Sequence, residues 1–139
     1  MYEDINFEFV KIANEEELID LYKDGGWWKE SPTERNNLPI LVKNSFCFIV
    51  AKTNEGKIIG MGRVISDGVS DGYIQDVIVN KSHRNKGIGK LLVIKLRDYC
   101  LNKGLSWIGL IAEPGTEGFY TKLGFSEMIA YKPMLLTKK

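Results

Sequence analysis

The chain has 139 residues, 44% of them apolar and 27% charged, with a formal net charge of +1. That is ordinary globular usage for a single domain spanning 1–139, too apolar for a disordered chain and without the basic excess that would point to nucleic acid or an anionic membrane as partner. Cys47 and Cys100 sit in apolar sequence with no CxxC and no Cys/His cluster, so they are expected as reduced core thiols and no metal site is expected.

The acidic N-terminus lacks the apolar core of a signal peptide, and no apolar run approaches the ~18 residues of a membrane span. A cytoplasmic protein is the expectation. In chain order, residues 7–12 alternate loosely and predict a first strand. Asn14 followed by Glu15, Glu16 and Glu17 is a helix start, with a capping side chain and negative charge in the first turn. Leu18, Ile19, Leu21 and Tyr22 give that helix an apolar face, and Gly25-Gly26 end it. Trp27 and Trp28 then load a loop with aromatic surface. Ser31-Pro32-Thr33-Glu34 starts a second helix, which Pro39 predicts to be short or kinked.

Strands follow at 46–52, 57–66 and 73–79, separated by turns at 54–56 and 67–72, so an antiparallel meander is expected. Gly60 and Gly62 inside the second of them mark a bulge or close packing. The next helix has Ile88, Leu92, Leu96, Tyr99 and Cys100 at helical spacing and a stop at Gly104. Residues 107–112 read as a buried strand parallel to the one ending at Val79, because a helix connects the two. Pro114-Gly115-Thr116 opens a short helix with Phe119, Tyr120 and Leu123. Apolar residues from Phe125 on, including Met128, Ile129, Met134, Leu135 and Leu136, predict a final strand pair. The order βααβββαβαβ(β) is a mixed α+β class, a mostly antiparallel sheet flanked by helices.

The stretch DVIVNKSHRNKGIGKLLVIKLRDYC, from Asp76 to Cys100, is the chemically pointed one. Arg84, Asn85, Lys86, Gly87, Ile88, Gly89 and Lys90 place R-x-x-G-x-G at a helix start, where unpaired N–H groups and the dipole favour a phosphate. A Walker loop would need a hydroxyl residue after Gly89-Lys90, and Leu91 stands there. A dinucleotide G-x-G-x-x-G would need glycine at position 92, which is Leu92.

The pattern resembles the pyrophosphate loop of the GCN5-related N-acetyltransferase (GNAT) superfamily, and Glu117 to Phe125, EGFYTKLGF, resembles that superfamily's second signature. The resemblance covers most of the chain from Phe46 on. It implies acetyl-CoA as donor, with its pyrophosphate on the N–H groups of residues 84–90, closest at Gly87 and Gly89. It also implies a pantetheine arm lying along Val77, Ile78 and Val79. The chemistry implied is direct attack of an amine on the thioester, with no metal. By the same match, the Val77 N–H is the candidate oxyanion donor and Tyr120 the candidate acid facing the sulfur. Tyr73-Ile74-Gln75-Asp76 is similar to the Y-L-E-D strand of polyamine acetyltransferases. Gln75 replaces its glutamate and cannot take a proton. Asp76 keeps its carboxylate and either binds the ammonium or relays its proton through water, or else is a solvated or capping carboxylate; Glu113, at the end of the parallel strand, is a second candidate for the base. Trp27 and Trp28 are either the wall of an acceptor pocket, able to attract a cation, or a hydrophobic plug. His83 is expected as a loop-packing residue.

The expected partner is therefore a small-molecule primary amine. The strand edges near the C-terminus admit a homodimer. The competing expectations are a peptide or protein N-acetyltransferase, which would need an open groove, and a non-catalytic acyl-CoA-binding module, which the missing glutamate at Gln75 keeps in play.

Overall fold

In a computed structural model, residues 4–137 are described. They form the order β1 (Ile5–Phe9), α1 (Glu15–Asp24), α2 (Pro32–Asn44), β2 (Cys47–Thr53), β3 (Ile58–Ile65), β4 (Asp71–Val79), α3 (Ile88–Asn102), β5 (Trp107–Gly109) and α4 (Glu117–Thr121). The strands make one sheet in the order β1-β2-β3-β4-β5, antiparallel throughout except for the β4–β5 pair. The mixed α+β class is as expected.

Period-two alternation along β2 divides the interior into two layers. Cys47, Ile49 and Ala51 point to the α3 side, where Leu92, Leu96 and Cys100 meet them. Phe48 and Val50 point the other way, onto Leu18, Ile19, Leu21 and Tyr22 of α1 and Leu38 and Val42 of α2. Burying each Leu or Ile here contributes about 1.5–3 kcal/mol. The glycines of β3 are explained by close packing. A Cβ on Gly62 would lie 2.8 Å from the Leu96 side chain and one on Gly60 3.2 Å from Leu92, so α3 settles directly on the strand.

The caps form as the residue types dictate: Asn14 accepts from the Glu17 N–H and Ser31 from the Glu34 N–H, both at 3.0 Å. Four expectations need correction. The first strand lies at Ile5–Phe9, earlier than 7–12. The second helix is neither short nor interrupted, running 13 residues with Pro39 inside it. Pro39 is exposed, and the well-capped start together with burial of Leu38 and Val42 offsets the lost hydrogen bond. The parallel strand stops at Gly109 instead of 112, since it pairs only with Asp71–Tyr73 before diverging. The final strand pair is absent among the described residues: after α4 the chain runs on without strand pairing, because no neighbouring edge in this chain meets it.

Candidate active site

The site begins with an irregularity in β4. Gln75 pairs with Arg63 and Ile78 with Met61, so Asp76 and Val77 together oppose the single residue Gly62. This β-bulge holds Asp76 at φ 59°, a left-handed conformation that aspartate tolerates better than most residues. It also breaks the alternation. Ile74 and Val77 pack on the α3 layer, while Gln75 and Asp76 both turn toward α1.

Arg63 meets them there. Its Nε donates to Asp76 Oδ2 at 2.7 Å, its Nη2 to Gln75 Oε1 at 3.0 Å and its Nη1 to Ser45 Oγ at 3.5 Å. The Tyr22 hydroxyl, from α1, donates to the same Asp76 Oδ2 at 2.8 Å. Asp76 Oδ1 has no hydrogen-bond partner among the described residues. Burial, then the Asp76 charge and the hydrogen bond to it, push the Tyr22 phenol well above the ordinary tyrosine range, with Arg63 opposing. Tyr22 is therefore a fixed donor at neutral pH.

On the other side of β4, the divergence of β5 leaves the β4 edge without a strand partner beyond Tyr73. A cleft of about 1050 Å³ opens there. It brings together Trp27, Gln75, Asp76, Val77, Ile78, Val79, Arg84, Asn85, Gly87, Ile88, Gly89, Lys90, Glu113 and Tyr120, residues from five separate segments that the sequence had singled out. Lys86 is the exception: it is exposed and lies outside the cleft lining. Gly87 stands at φ 81° and is the N-cap of α3, with no side chain capping the helix. Arg84 folds back, Nε donating to the Val79 carbonyl at 2.8 Å, which fixes the loop to the end of β4. His83 also lines the cleft, but its Nδ1 is 2.8 Å from Asn80 Oδ1, within the loop.

Tyr120 sits across the cleft on α4, ring edge to ring face with Phe119 and Phe125. Arg97 of α3 anchors this segment by donating from Nη1 to the Leu123 carbonyl at 3.0 Å. Burial first, and the Glu113 charge second, raise the Tyr120 phenol above its usual value, so it stays protonated at neutral pH.

A family model described as "Acetyltransferase (GNAT) family" matches residues 2–125. The chain belongs to that family. Among relatives, it is 32% identical over 127 residues to the uncharacterized N-acetyltransferase ycf52 of Pyropia yezoensis, covering 89% of this chain and 71% of that one. It is 36% identical over 76 residues to serotonin N-acetyltransferase 2, chloroplastic, of Oryza sativa subsp. japonica, covering 55% of this chain but only 38% of that protein. A probable acetyltransferase of methicillin-resistant Staphylococcus aureus, a protein of unknown function, has the same fold: TM-score 0.81 at 23% identity, with 97% of this chain and 99% of that one covered. This protein is thus a GNAT acetyltransferase, of a family that uses acetyl-CoA.

The GNAT donor fits the cleft on this chain's own features. An uncapped helix start with a left-handed glycine offers N–H groups to a pyrophosphate, and the unpaired β4 edge offers main-chain groups to an extended arm. No group of His, Cys, Asp and Glu among the described residues is arranged to hold a metal. No described helix is long and apolar enough to cross a membrane.

A second, smaller cavity of about 200 Å³ adjoins the first and shares Trp27 and Asp76 with it. Its other walls are Tyr22, Trp28, Leu38 and Leu41, with Glu34 and Asn37 also contributing. Trp27 lies over Gly25, where a Cβ would come within 2.8 Å of the indole. Trp28 donates from Nε1 to Glu30 at 3.2 Å, and Glu30 is in turn held by Arg35 at 2.6 Å. Both tryptophans line this cavity.

Sequence reasoning missed Tyr22 and Arg63 as site residues. Tyr22 looked like one more apolar-face residue of α1. Arg63 did carry a signal, since a cation in the middle of the apolar strand IIGMGRVI must find a carboxylate.

Proposed function

We propose that this protein transfers acetyl from acetyl-CoA to the primary amine of a small molecule, by direct attack within a ternary complex. The observation that carries the reading is the meeting of two cavities at Asp76: a long cleft on the donor side and a small aromatic-walled pocket on the other. The pocket has room for a single ring-sized stem, whereas a peptide acceptor would call for an open groove. The rice relative is named for serotonin, an amine with an aromatic stem, which supports an arylalkylamine as the first acceptor to try.

Acetyl-CoA, when bound, supplies the acetyl thioester. Asp76 Oδ1, free while Oδ2 is held by Arg63 and Tyr22, binds the acceptor ammonium and relays its proton toward solvent, leaving the amine lone pair free to attack. Gln75 is a positioning partner of Arg63 and takes no proton. The Val77 N–H, in the bulge beside Asp76, is assigned to the carbonyl oxygen that gains charge. Tyr120, protonated, delivers its proton to the sulfur as the C–S bond breaks. Buried free thiols at Cys47 and Cys100 suit a reducing compartment such as the cytoplasm.

The test is free-thiol release from acetyl-CoA with arylalkyl, polyamine, amino-sugar and peptide amines. Turnover highest on arylalkyl or other small amines is expected. Turnover confined to peptides would overturn the acceptor assignment. Thermal stabilisation by CoA with no thiol release on any amine would make the protein a binding module.

A further inference from the structure

The connection between α1 and α2 has no regular secondary structure, yet it places Trp28 as a wall of the smaller cavity. The Trp28 ring packs near Tyr22, centroids 6.4 Å apart, and its Nε1–H donates to Glu30 Oε1 at 3.2 Å. Glu30 is gripped in turn from α2. Arg35 donates to it twice, Nε to Oε2 at 2.6 Å and Nη2 to Oε1 at 2.9 Å. That fork fixes the orientation of a carboxylate as well as its position. The third arm of the same guanidinium, Nη1, donates to Glu16 Oε2 on α1 at 2.6 Å. One side chain thus joins both helices that wall the cavity to the loop between them.

Arg35 is absent from the lining of either cavity. Its side chain is 40% exposed, that of Glu30 52% and that of Glu16 71%. Ion pairs this exposed add little to global stability, because water screens them and long side chains lose rotamer freedom to meet. Such a network can still select one loop conformation among several of similar energy, which is a local effect. Arg35 first, and the Trp28 indole second, hold the Glu30 carboxyl below the usual carboxylate range, so the link stays charged at neutral pH.

We propose that Arg35 is a positioning residue for the amine: through Glu30 it sets the Trp28 wall, and with it the fit of the acceptor, without touching the acceptor. This role rests on the reading of the smaller cavity as the acceptor pocket. It separates two things that one exposed cluster would otherwise do together. The hold on Trp28 runs through Glu30, while the hold on α1 runs through Glu16, and each can be cut alone.

The test pairs kinetics on the full chain, with the amine that turns over fastest, and nuclear magnetic resonance of the indole N–H groups without ligand. Arg35→Ala should raise the amine KM roughly two- to fivefold, the range an exposed ion network can shift. The kcat, the KM for acetyl-CoA and the melting temperature should hold. Arg35→Lys, which keeps the charge and loses the fork, should fall between. Glu30→Ala, which leaves Arg35 paired with Glu16, should match Arg35→Ala. In a Trp28→Ala background, Arg35→Ala should add nothing further. The Trp28 indole N–H, assigned by its loss in Trp28→Phe, should exchange with water faster in Arg35→Ala than in the wild type. An unchanged Trp28 signal overturns the proposal whether or not any amine turns over. So does an unchanged amine KM, an equal rise in the Trp28→Ala background, or a joint rise in the KM for acetyl-CoA. Turnover confined to peptides would instead overturn the small-amine reading, and a peptide KM that Arg35→Ala still raises would keep the positioning role.

Discussion

The two sides of Asp76 are built from different materials. The larger cleft, proposed for the donor, is a main-chain construction: a strand edge left open by the divergence of β5, and a helix start with a left-handed glycine and no capping side chain. The smaller cavity, proposed for the acceptor, is a side-chain construction, with Tyr22, Trp27, Trp28, Leu38 and Leu41 converging from α1, the following loop and α2. Main-chain sites survive most changes of side chain, and side-chain sites can be rewritten residue by residue. The difference predicts where substitutions act and on which substrate.

The largest effect is expected where the two sides cooperate. Tyr120→Phe should lower kcat by ~10²–10⁴-fold while leaving CoA affinity nearly unchanged, read from initial rates and calorimetry. Because burial and Glu113 raise the phenol, the wild-type alkaline limb of kcat should lie above the ~10 of an ordinary tyrosine, and the variant should lose that limb. An unaltered kcat would remove Tyr120 from the acid role.

Asp76→Ala comes next. It removes the carboxylate at which the two cavities meet and leaves Arg63, 14% exposed, without its ion-pair partner. A fall of ~10–100-fold in kcat/KM for the amine is expected, with a stability loss of about 1–3 kcal/mol by denaturant unfolding. A loss of stability with unchanged amine kinetics would make the Arg63–Asp76 pair a purely structural device.

Gly87→Val tests the main-chain side alone. Forcing a β-branched residue to φ 81° costs about 1–2 kcal/mol, so CoA should bind roughly five- to thirtyfold more weakly, measured by calorimetry. Lys90→Ala, which keeps the backbone, should change that affinity far less. The reverse ranking would mean that side-chain charge, and not the loop backbone, holds the donor.

Trp28→Ala is the mildest. Losing one wall of the acceptor pocket should raise KM for an arylalkylamine by roughly three- to tenfold and leave the KM for acetyl-CoA in place. Equal shifts in both would show that the two cavities behave as one.

How much of this was legible depends on the range of the interactions. The Asn14 and Ser31 caps, the Gly87–Gly89 loop and the start of α4 involve residues within a few positions of each other, so their types and spacing suffice. Pro39 was over-weighted because its local cost is visible in the sequence, while the burial of Leu38 and Val42 that offsets it is not. The tail from Phe125 was read as strand from its apolar content, yet a strand exists only where an edge receives it.

The sequence by itself determined the elements from the first strand to α4 and their order, the glycine loop at the start of α3 and the identity of the groups available for chemistry, because each rests on local conformational preference or a contiguous motif. Only the tertiary structure decided that β4 bulges at Asp76, that Arg63 and Tyr22 occupy one of its carboxylate oxygens, and that a tryptophan-walled pocket meets the donor cleft there. Those features join Tyr22, Trp28, Arg63 and Asp76, up to 54 positions apart in the Tyr22–Asp76 bond, and no local preference encodes which distant side chains a bulge will bring face to face.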